Sequence, residues 1–264
     1  MLDRFCQVLE AVVSAGGPVS AADLSRLTGL PRPTSYRLVA ALSEHGLLDS
    51  VDGESRYRLG ARLIRMALLG KTDDDLGRSS TAVLKQLACK TGESAFLARF
   101  RDASIDLIHV EVPANGSQGF VHPGYGARPV HACSSAKAIA AYATDEMRDQ
   151  LLSDVADRYT DATLTKREDI FEELELTRQR GYALCAEEID EGVVSIAVPV
   201  SIEPVGVMFS LGVVGPARRM TESRLAELAE TLQLASVRAA KAIQQIEGET
   251  STSAFEGTEP RVSA

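Results

Sequence analysis

Arg32, Thr34, Ser35, Tyr36 and Arg37 fall within six consecutive positions and carry the chemistry that reads a base edge. A guanidinium donates two parallel hydrogen bonds to O6 and N7 of guanine, and threonine offers a hydroxyl and a methyl group to the major groove. Arg56 and Arg58 lie two residues apart in an extended run and would share one side of it. That side is placed for a phosphate or minor-groove contact while Tyr57 turns inward. The competing reading of the same arginines is a solvated helical face on a domain that binds protein.

A second group of reactive residues lies farther along the chain. Ser134, Ser135 and Lys137 form an S-x-x-K pattern of the kind in which lysine activates a serine nucleophile. Neither S-D-N nor K-T-G follows it. A serine that opens a helix explains the pattern equally well, so no catalytic residue is assigned. His122, His131 and Cys133, with Glu187 or Glu188, hold donor atoms that zinc accepts, but at no standard spacing, and no metal ligand is assigned. Glu187, Glu188, Asp190 and Glu191 read as a solvated turn between strands rather than as paired catalytic carboxylates. His109, within an apolar run, reads as a satisfied core or edge histidine. Cys6, Cys89, Cys133 and Cys185 stand singly, without a C-x-x-C pair, and read as reduced and mostly buried.

The elements that would position the first group are marked by punctuation. Leu2, Phe5, Cys6, Leu9, Val12 and Val13 recur at helical spacing until Gly16-Gly17-Pro18 stops them. Ser20 is an N-cap with Asp23 as the acidic partner of a capping box, Leu24 and Leu27 face inward, and Thr28-Gly29 ends a short second helix. Pro31 opens a third, with Tyr36, Leu38, Val39, Ala41 and Leu42 as its buried stripe and His45-Gly46 as its stop. Tyr36 therefore stands in both the buried stripe and the reading set. Asp52-Gly53 between two short extended runs signals a hairpin. Three helices and a hairpin make a winged helix-turn-helix over residues 1–70, with the start of the third helix in the major groove.

Residues 61–69 read as a helix whose apolar face (Leu63, Ile64, Ala67, Leu68) either meets a second copy or packs back on the bundle. Residues 71–78 read as a linker. Over 79–247, helices ending near Gly92 and spanning about 134–142, 145–153, 166–180 and 221–246 alternate with strands at 95–98, 105–110, 193–200 and 205–213. In the last helix Thr221 is the N-cap and Leu225, Leu228, Leu232, Val237 and Ile243 face inward. This predicts an α+β domain with helices on one face of a sheet. The Thr, Ser, Gly and Glu content of 248–264 predicts a disordered tail.

Of the 264 residues, 45% are apolar and 25% charged, and no apolar run nears the ~18 residues that span a bilayer. The N-terminus lacks a secretion signal, which makes the cytoplasm the expected location. The net charge of −9 argues against a polyanionic partner when taken whole. The first seventy residues differ: they carry eight basic residues, all arginine, against seven acidic ones. Arg26, Arg32 and Arg37 lie in a twelve-residue stretch with no acid. Binding by such a chain would depend on specific contacts.

In order, spacing and punctuation, the run from Ser20 through Pro31-Arg32-Pro33-Thr34-Ser35-Tyr36-Arg37 to Glu44-His45-Gly46-Leu47-Leu48, with Tyr57-Arg58-Leu59-Gly60, resembles the isocitrate lyase regulator (IclR) family of bacterial transcription factors. The resemblance continues in Pro129-Val130-His131-Ala132-Cys133-Ser134-Ser135-Ala136-Lys137, Arg178-Gln179-Arg180-Gly181-Tyr182-Ala183, Glu187-Glu188, the run from Gly192 to Pro199, and Val214-Gly215-Pro216. It covers about residues 1–246. It implies a winged helix-turn-helix joined by a helical linker to a GAF-like effector-binding domain. It also implies a homodimer or dimer of dimers on palindromic operator DNA, and a C-terminal domain that senses a small organic or aromatic acid; repression is the expected sign of control, and no cofactor is expected. Carried over residue by residue, the effector contacts would be Ser134 and Ser135 at a helix N-terminus, Cys185, Ser195, Gly212 and Val214. The position of Cys185 is commonly acidic in the family, Ser134 and Ala136 replace glycines, Ser195 replaces a cysteine, and Gly212 and Val214 stand where serines are found. The pocket is thus expected to keep its shape and change its ligand. The alternative is a metabolite-binding module or serine-dependent enzyme whose winged helix contacts protein.

Overall fold

The computed structural model describes residues 1–51, 53, 55–114, 121–152 and 157–245. The tail predicted at 248–264 lies outside the described residues. The N-terminal unit consists of α1 (Leu2–Ser14), α2 (Ala21–Thr28), α3 (Arg32–Glu44) and a hairpin of β2 (Leu48–Ser50) and β3 (Arg56–Leu59). A further strand, β1 (Val19–Ser20), pairs antiparallel with β3, setting Val19 opposite Tyr57. Two residues are too few to show an alternation, which is why periodicity misses it. Both halves of the Ser20–Asp23 capping box form, and α2 stops at Gly29 in the left-handed conformation.

Val8, Val12, Leu24, Leu38, Val39, Leu42 and Leu48 make the core of this unit. Leu27 and Tyr36, both expected inside, are 60% and 55% exposed. The buried set of α3 is Ser35, Leu38, Val39 and Leu42, a clean i, i+3, i+4, i+7 stripe, and Tyr36 falls one residue outside it.

A nine-residue helix, α4 (Ala61–Leu69), leaves the wing. Its start is fused to the hairpin. Gly60 donates its N–H to the Leu47 carbonyl at 2.8 Å, and a Cβ at Gly60 would lie 2.2 Å from the Gly46 carbonyl oxygen. The Asp49 carboxylate accepts the Ala61 N–H at 2.9 Å, and Arg62 donates to the His45 carbonyl at 3.1 Å. The apolar face of α4 turns away from the bundle. Leu68 is buried in the core of the C-terminal domain, with Ile64 and Leu69 packed against it.

The segment expected as a linker, 71–78, is a brief turn followed by the opening of α5 (Asp73–Thr91), capped by Thr72 and Asp75. Its acidic run suits the positive end of a helix. There follow β4 (Ser94–Arg101), β5 (Ser104–Glu111), β6 (Gly126–Ala127), α6 (Ser134–Ala140), α7 (Asp145–Leu151), α8 (Arg167–Arg180), β7 (Ala183–Ala186), β8 (Val193–Ile202), β9 (Gly206–Pro216) and α9 (Glu222–Gln244). The strands form one antiparallel sheet in the order β6-β5-β4-β9-β8-β7.

Helices cover both faces of the sheet, not one as expected. α5 and α9 pack over Leu97, Ile196, Val198, Leu211 and Val213, while α6 and α8 pack over Ala98, Phe100 and Ile105. Near-continuous burial along β4 and β9 is what a sheet covered on both sides requires. In α9, Leu228, Leu232, Ala235, Ala239 and Ile243 point inward, and Val237, expected there, is 57% exposed. Alanines complete the stripe, and their low hydrophobicity hides it from the sequence.

Arg99, 1% exposed, joins the two units. Its Nη1 donates to the Lys71 carbonyl at 2.9 Å and to Asp73 Oδ1 at 2.7 Å, and its Nη2 to the carbonyls of Leu68 and Leu69 at 3.2 and 2.9 Å. These carbonyls lie at the end of α4 and in the turn after it, where the helix macrodipole is negative and acceptors lack intrahelical partners. Arg99→Met, which keeps the stem and removes the donors, is expected to lower stability by roughly 2–3 kcal/mol in urea unfolding. Arg99→Lys should recover only part of that loss, because an ammonium cannot reproduce the fork. Equal stability of Arg99→Met and the parent would refute this role.

Candidate functional site

On α3, Arg32, Pro33, Tyr36, Arg37 and Ala40 are exposed and recur at helical spacing, so they form one stripe. No acidic residue stands in the first turn of α3, which leaves its positive end open to a phosphate. Arg26, the third arginine of the acid-free stretch, pairs with Asp23. Neither Arg32 nor Arg37 has an ion-pair partner among the described residues. Thr34 is half-buried at the edge of the stripe. Ser35 is fully buried and its hydroxyl has no partner among the described residues, so it faces the bundle and cannot reach DNA, contrary to expectation. Arg56 and Arg58 are exposed on one side of β3 while Tyr57 packs on the core, as their alternation requires.

The second site is a cavity of about 90 Å³ on the α6 side of the sheet. Of the six expected contacts, Cys185, Ser195 and Val214 line it, together with Phe96, Leu107 and Arg128. Ser134, Ser135 and Gly212 do not. Ser134 lies behind Ser195, and their hydroxyls share a hydrogen bond of 2.7 Å. The Ser135 hydroxyl meets Cys133 Sγ at 3.1 Å, and its carbonyl accepts the Ser210 hydroxyl at 2.8 Å. Gly212 is a packing residue: a Cβ there would lie 2.4 Å from the Phe96 ring and from the Ile196 carbonyl oxygen. Phe96 and Arg128 were missed. Phe96 sits in an apolar strand like any core residue, and Arg128 in an irregular segment where no periodicity points to it.

Beside the cavity, Lys137 and Glu188 are committed to each other. Lys137, 1% exposed, donates to both Glu188 carboxylate oxygens at 2.7 Å and to the Leu184 carbonyl at 3.1 Å. Burial raises the Glu188 carboxyl above its usual range, with Lys137 opposing that rise. The S-x-x-K pattern therefore brings no base to Ser134. Glu188 is 7% exposed, and so does not belong to the solvated turn expected there. Glu187 does, with Oε2 accepting the Gly192 N–H at 2.6 Å.

His131 donates from Nε2 to the Asp157 carbonyl at 2.9 Å and stacks on Tyr159. His109 meets Glu111 Oε1 at 3.0 Å and Thr81 Oγ1 at 3.2 Å, a satisfied histidine. Among the described residues no three His, Cys, Asp or Glu side chains converge to hold a metal. Cys6 and Cys89 are exposed, against the expectation of burial, and Cys133 and Cys185 are buried. Burial, with smaller contributions from Cys133 and Glu188, pushes the Cys185 thiol up to about 11, so it is protonated at neutral pH. No helix among the described residues is long and apolar enough to cross a membrane.

Comparison with known proteins agrees with this geometry at both ends of the chain. Residues 1–52 match the IclR helix-turn-helix domain, and residues 71–243 match the domain described as bacterial transcriptional regulator IclR C-terminal. The HTH-type transcriptional regulator XynR of Escherichia coli is 28% identical over 92% of this chain and 96% of its own. The transcriptional repressor IclR of the same species is 26% identical over 86% of this chain and 83% of its own. An IclR homolog from Microbacterium hydrocarbonoxydans, solved in complex with 4-hydroxybenzoate, is 26% identical at a TM-score of 0.56, covering 92% of this chain and 98% of that one. IclR of Thermotoga maritima, 21% identical at a TM-score of 0.55 over 92% and 96% of the two chains, shares the fold.

Two outcomes are expected around the cavity. Glu188→Gln leaves a buried ammonium without its counter-charge and should cost about 3–5 kcal/mol in chemical unfolding. Lys137→Met combined with Glu188→Leu should cost much less; an equal or larger loss would show that the pair is not acting through its charges. At neutral pH iodoacetamide should label Cys6 and Cys89 and spare Cys133 and Cys185, read by mass spectrometry. Rapid labelling of Cys185 in the folded chain would contradict its burial and protonation.

Proposed function

The chain belongs to the IclR family of bacterial transcriptional regulators, and from that premise we propose how it binds DNA and what it senses. It is a DNA-binding regulator. The observation that carries the site assignment is the acid-free exposed stripe on α3. Arg32 and Arg37 read base edges in the major groove, Tyr36 and Thr34 add contacts beside them, and Arg56 and Arg58 on the wing hold the backbone. Tyr36 belongs to this surface rather than to the core. Ala40, small and exposed, lets the middle of the helix approach the groove closely.

The regulator acts as a repressor in the bacterial cytoplasm, as a homodimer or dimer of dimers on a palindromic operator. Half-sites about 34 Å apart demand a matching distance between two copies of α3. The effector is a small organic acid held in the cavity between Phe96, Cys185, Ser195 and Val214. Supporting this are the cavity's size, far below the roughly 300–1,000 Å³ of pockets for drug-sized ligands, and the 4-hydroxybenzoate complex of the Microbacterium homolog. The chain is read as a non-enzyme because Lys137 and Ser134 are engaged with Glu188 and Ser195. Effector binding favours one of two placements of the reading helices, transmitted through α4.

Mobility shifts on the promoter DNA test this reading. Arg32→Ala and Arg37→Ala should each cost about 1–3 kcal/mol and relax discrimination between operator and unrelated DNA. Arg58→Ala should weaken binding evenly across sequences and reduce the log–log salt slope by about one. Ser35→Ala should leave the affinity unchanged. If Arg32→Ala with Arg37→Ala binds operator like the parent at low and high salt, α3 is not the reader.

A further inference from the structure

Among the described residues that line the cavity, Arg128 supplies the one guanidinium. The segment carrying it follows β6, and its main-chain N–H donates to the Ile105 carbonyl at 2.8 Å, pinning it to the start of β5. Arg128 lines both this cavity and a neighbouring cleft of about 430 Å³ that also holds Arg167. Arg128 Nε is buried and has no hydrogen-bond partner among the described residues. Asp190 borders the same cavity but forms no ion pair with it. A buried donor without an acceptor is costly. Arg99 Nε is also unpartnered among the described residues, but the rest of that guanidinium is bonded to Leu68, Leu69, Lys71 and Asp73, whereas Arg128 borders a cavity with room for an acceptor.

Sheet order says where that acceptor would lie. Arg128 comes from the β6–β5 edge, Ser195 and Cys185 from β8 and β7 at the other, and Phe96 and Val214 lie between them on β4 and β9. Three inter-strand spacings separate β5 from β8, about 14 Å, part of which the arginine side chain itself spans. The cavity is thus cationic at one end, apolar in the middle and hydroxyl-bearing at the other. The alternative anion site, the start of α6, is closed. Ser134 and Ser135 are fully buried and their hydroxyls are bonded to Ser195 and Cys133.

We propose that Arg128 is the carboxylate anchor of the effector cavity. The effector is a small monocarboxylic acid, with its carboxylate on Arg128, an apolar body along Phe96 and Val214, and any hydrogen-bonding group directed at Ser195. This rests on the reading of the cavity as the effector site, and it sets the acid in the opposite sense to one held at the start of α6.

Calorimetry on the full-length chain tests it with paired acids and amides of equal shape: benzoate with benzamide, 4-hydroxybenzoate with 4-hydroxybenzamide, propionate with propionamide. The parent should prefer at least one acid over its amide by about ten- to a hundred-fold. Arg128→Gln should lose that preference while keeping the affinity for the amide, which also shows that the cavity has survived. Arg128→Lys should retain part of it, and Arg167→Gln all of it. If Arg128→Gln binds the acid as the parent does, the anchor is wrong and the effector reading stands. If Arg167→Gln removes the preference, the acid sits in the outer cleft and the proposal fails. If the parent binds none of the probes, the anchor and the cavity reading fall together.

Discussion

A guanidinium seated on the carbonyl end of a short helix holds this molecule's two halves in one relation. Arg99 gathers the last carbonyls of α4 and the turn after it, where the backbone offers acceptors and the helix dipole offers negative potential. The other end of α4 is equally constrained, by the close approach of Gly60 to Gly46 and the caps supplied by Asp49 and Arg62. A helix of nine residues, about 13 Å long, clamped at both ends is a strut and not a tether. The strand that carries the clamp also lines the cavity. Alternation puts Phe96 on the α6 face of β4 and Arg99 on the opposite face, three residues later. β4 thus lines the cavity with one face and holds the end of α4 with the other.

That mechanical arrangement makes sense of the charge distribution. A chain with a net charge of −9 is repelled by DNA at long range, and only the N-terminal unit departs from this balance. On α3 and β3 the exposed Arg32, Arg37, Arg56 and Arg58 have no ion-pair partner among the described residues. Nonspecific affinity depends on the number of phosphates neutralised, so a reader with few cations on an acidic body gains most of its binding from contacts made in register. The clamped strut in turn fixes how α3 and β3 are placed relative to the acidic C-terminal domain.

The local grammar of the fold was legible in the residues. Ser20–Asp23, Gly29, Gly46 and Gly53 each act through the backbone of a few neighbours, so their effect does not wait for tertiary structure. What was not legible depended on the partner of each element. Ser35 and Tyr36 are adjacent, and hydropathy sends the tyrosine inward, yet the packing angle of α3 on α1 and α2 buries the serine. The second helical layer was missed because a sheet buried on both faces shows no alternation to read. Ser134 and Ser135 looked like an anion site because a helix begins there, but whether a hydroxyl is free is a property of the neighbours, Ser195 and Cys133.

The same distinction separates the frame of the cavity from its contents. Cys185, Ser195 and Val214, which line the cavity, stand at positions where the family resemblance leads one to expect other side chains. Lys137 and Glu188 sit just outside and hold α6 to the β7–β8 turn through a buried ion pair. A buried pair of this kind is a poor source of net stability, because desolvation offsets most of its attraction, but it has one well-satisfied geometry. It therefore fixes where α6 lies without drawing on the residues that face the cavity. With the helix positioned from outside, and Gly212 leaving room for Phe96, substitutions in the lining alter shape and polarity without dismantling the wall. A cavity built this way can change its lining while the contacts from β4 through Arg99 to α4 stay the same.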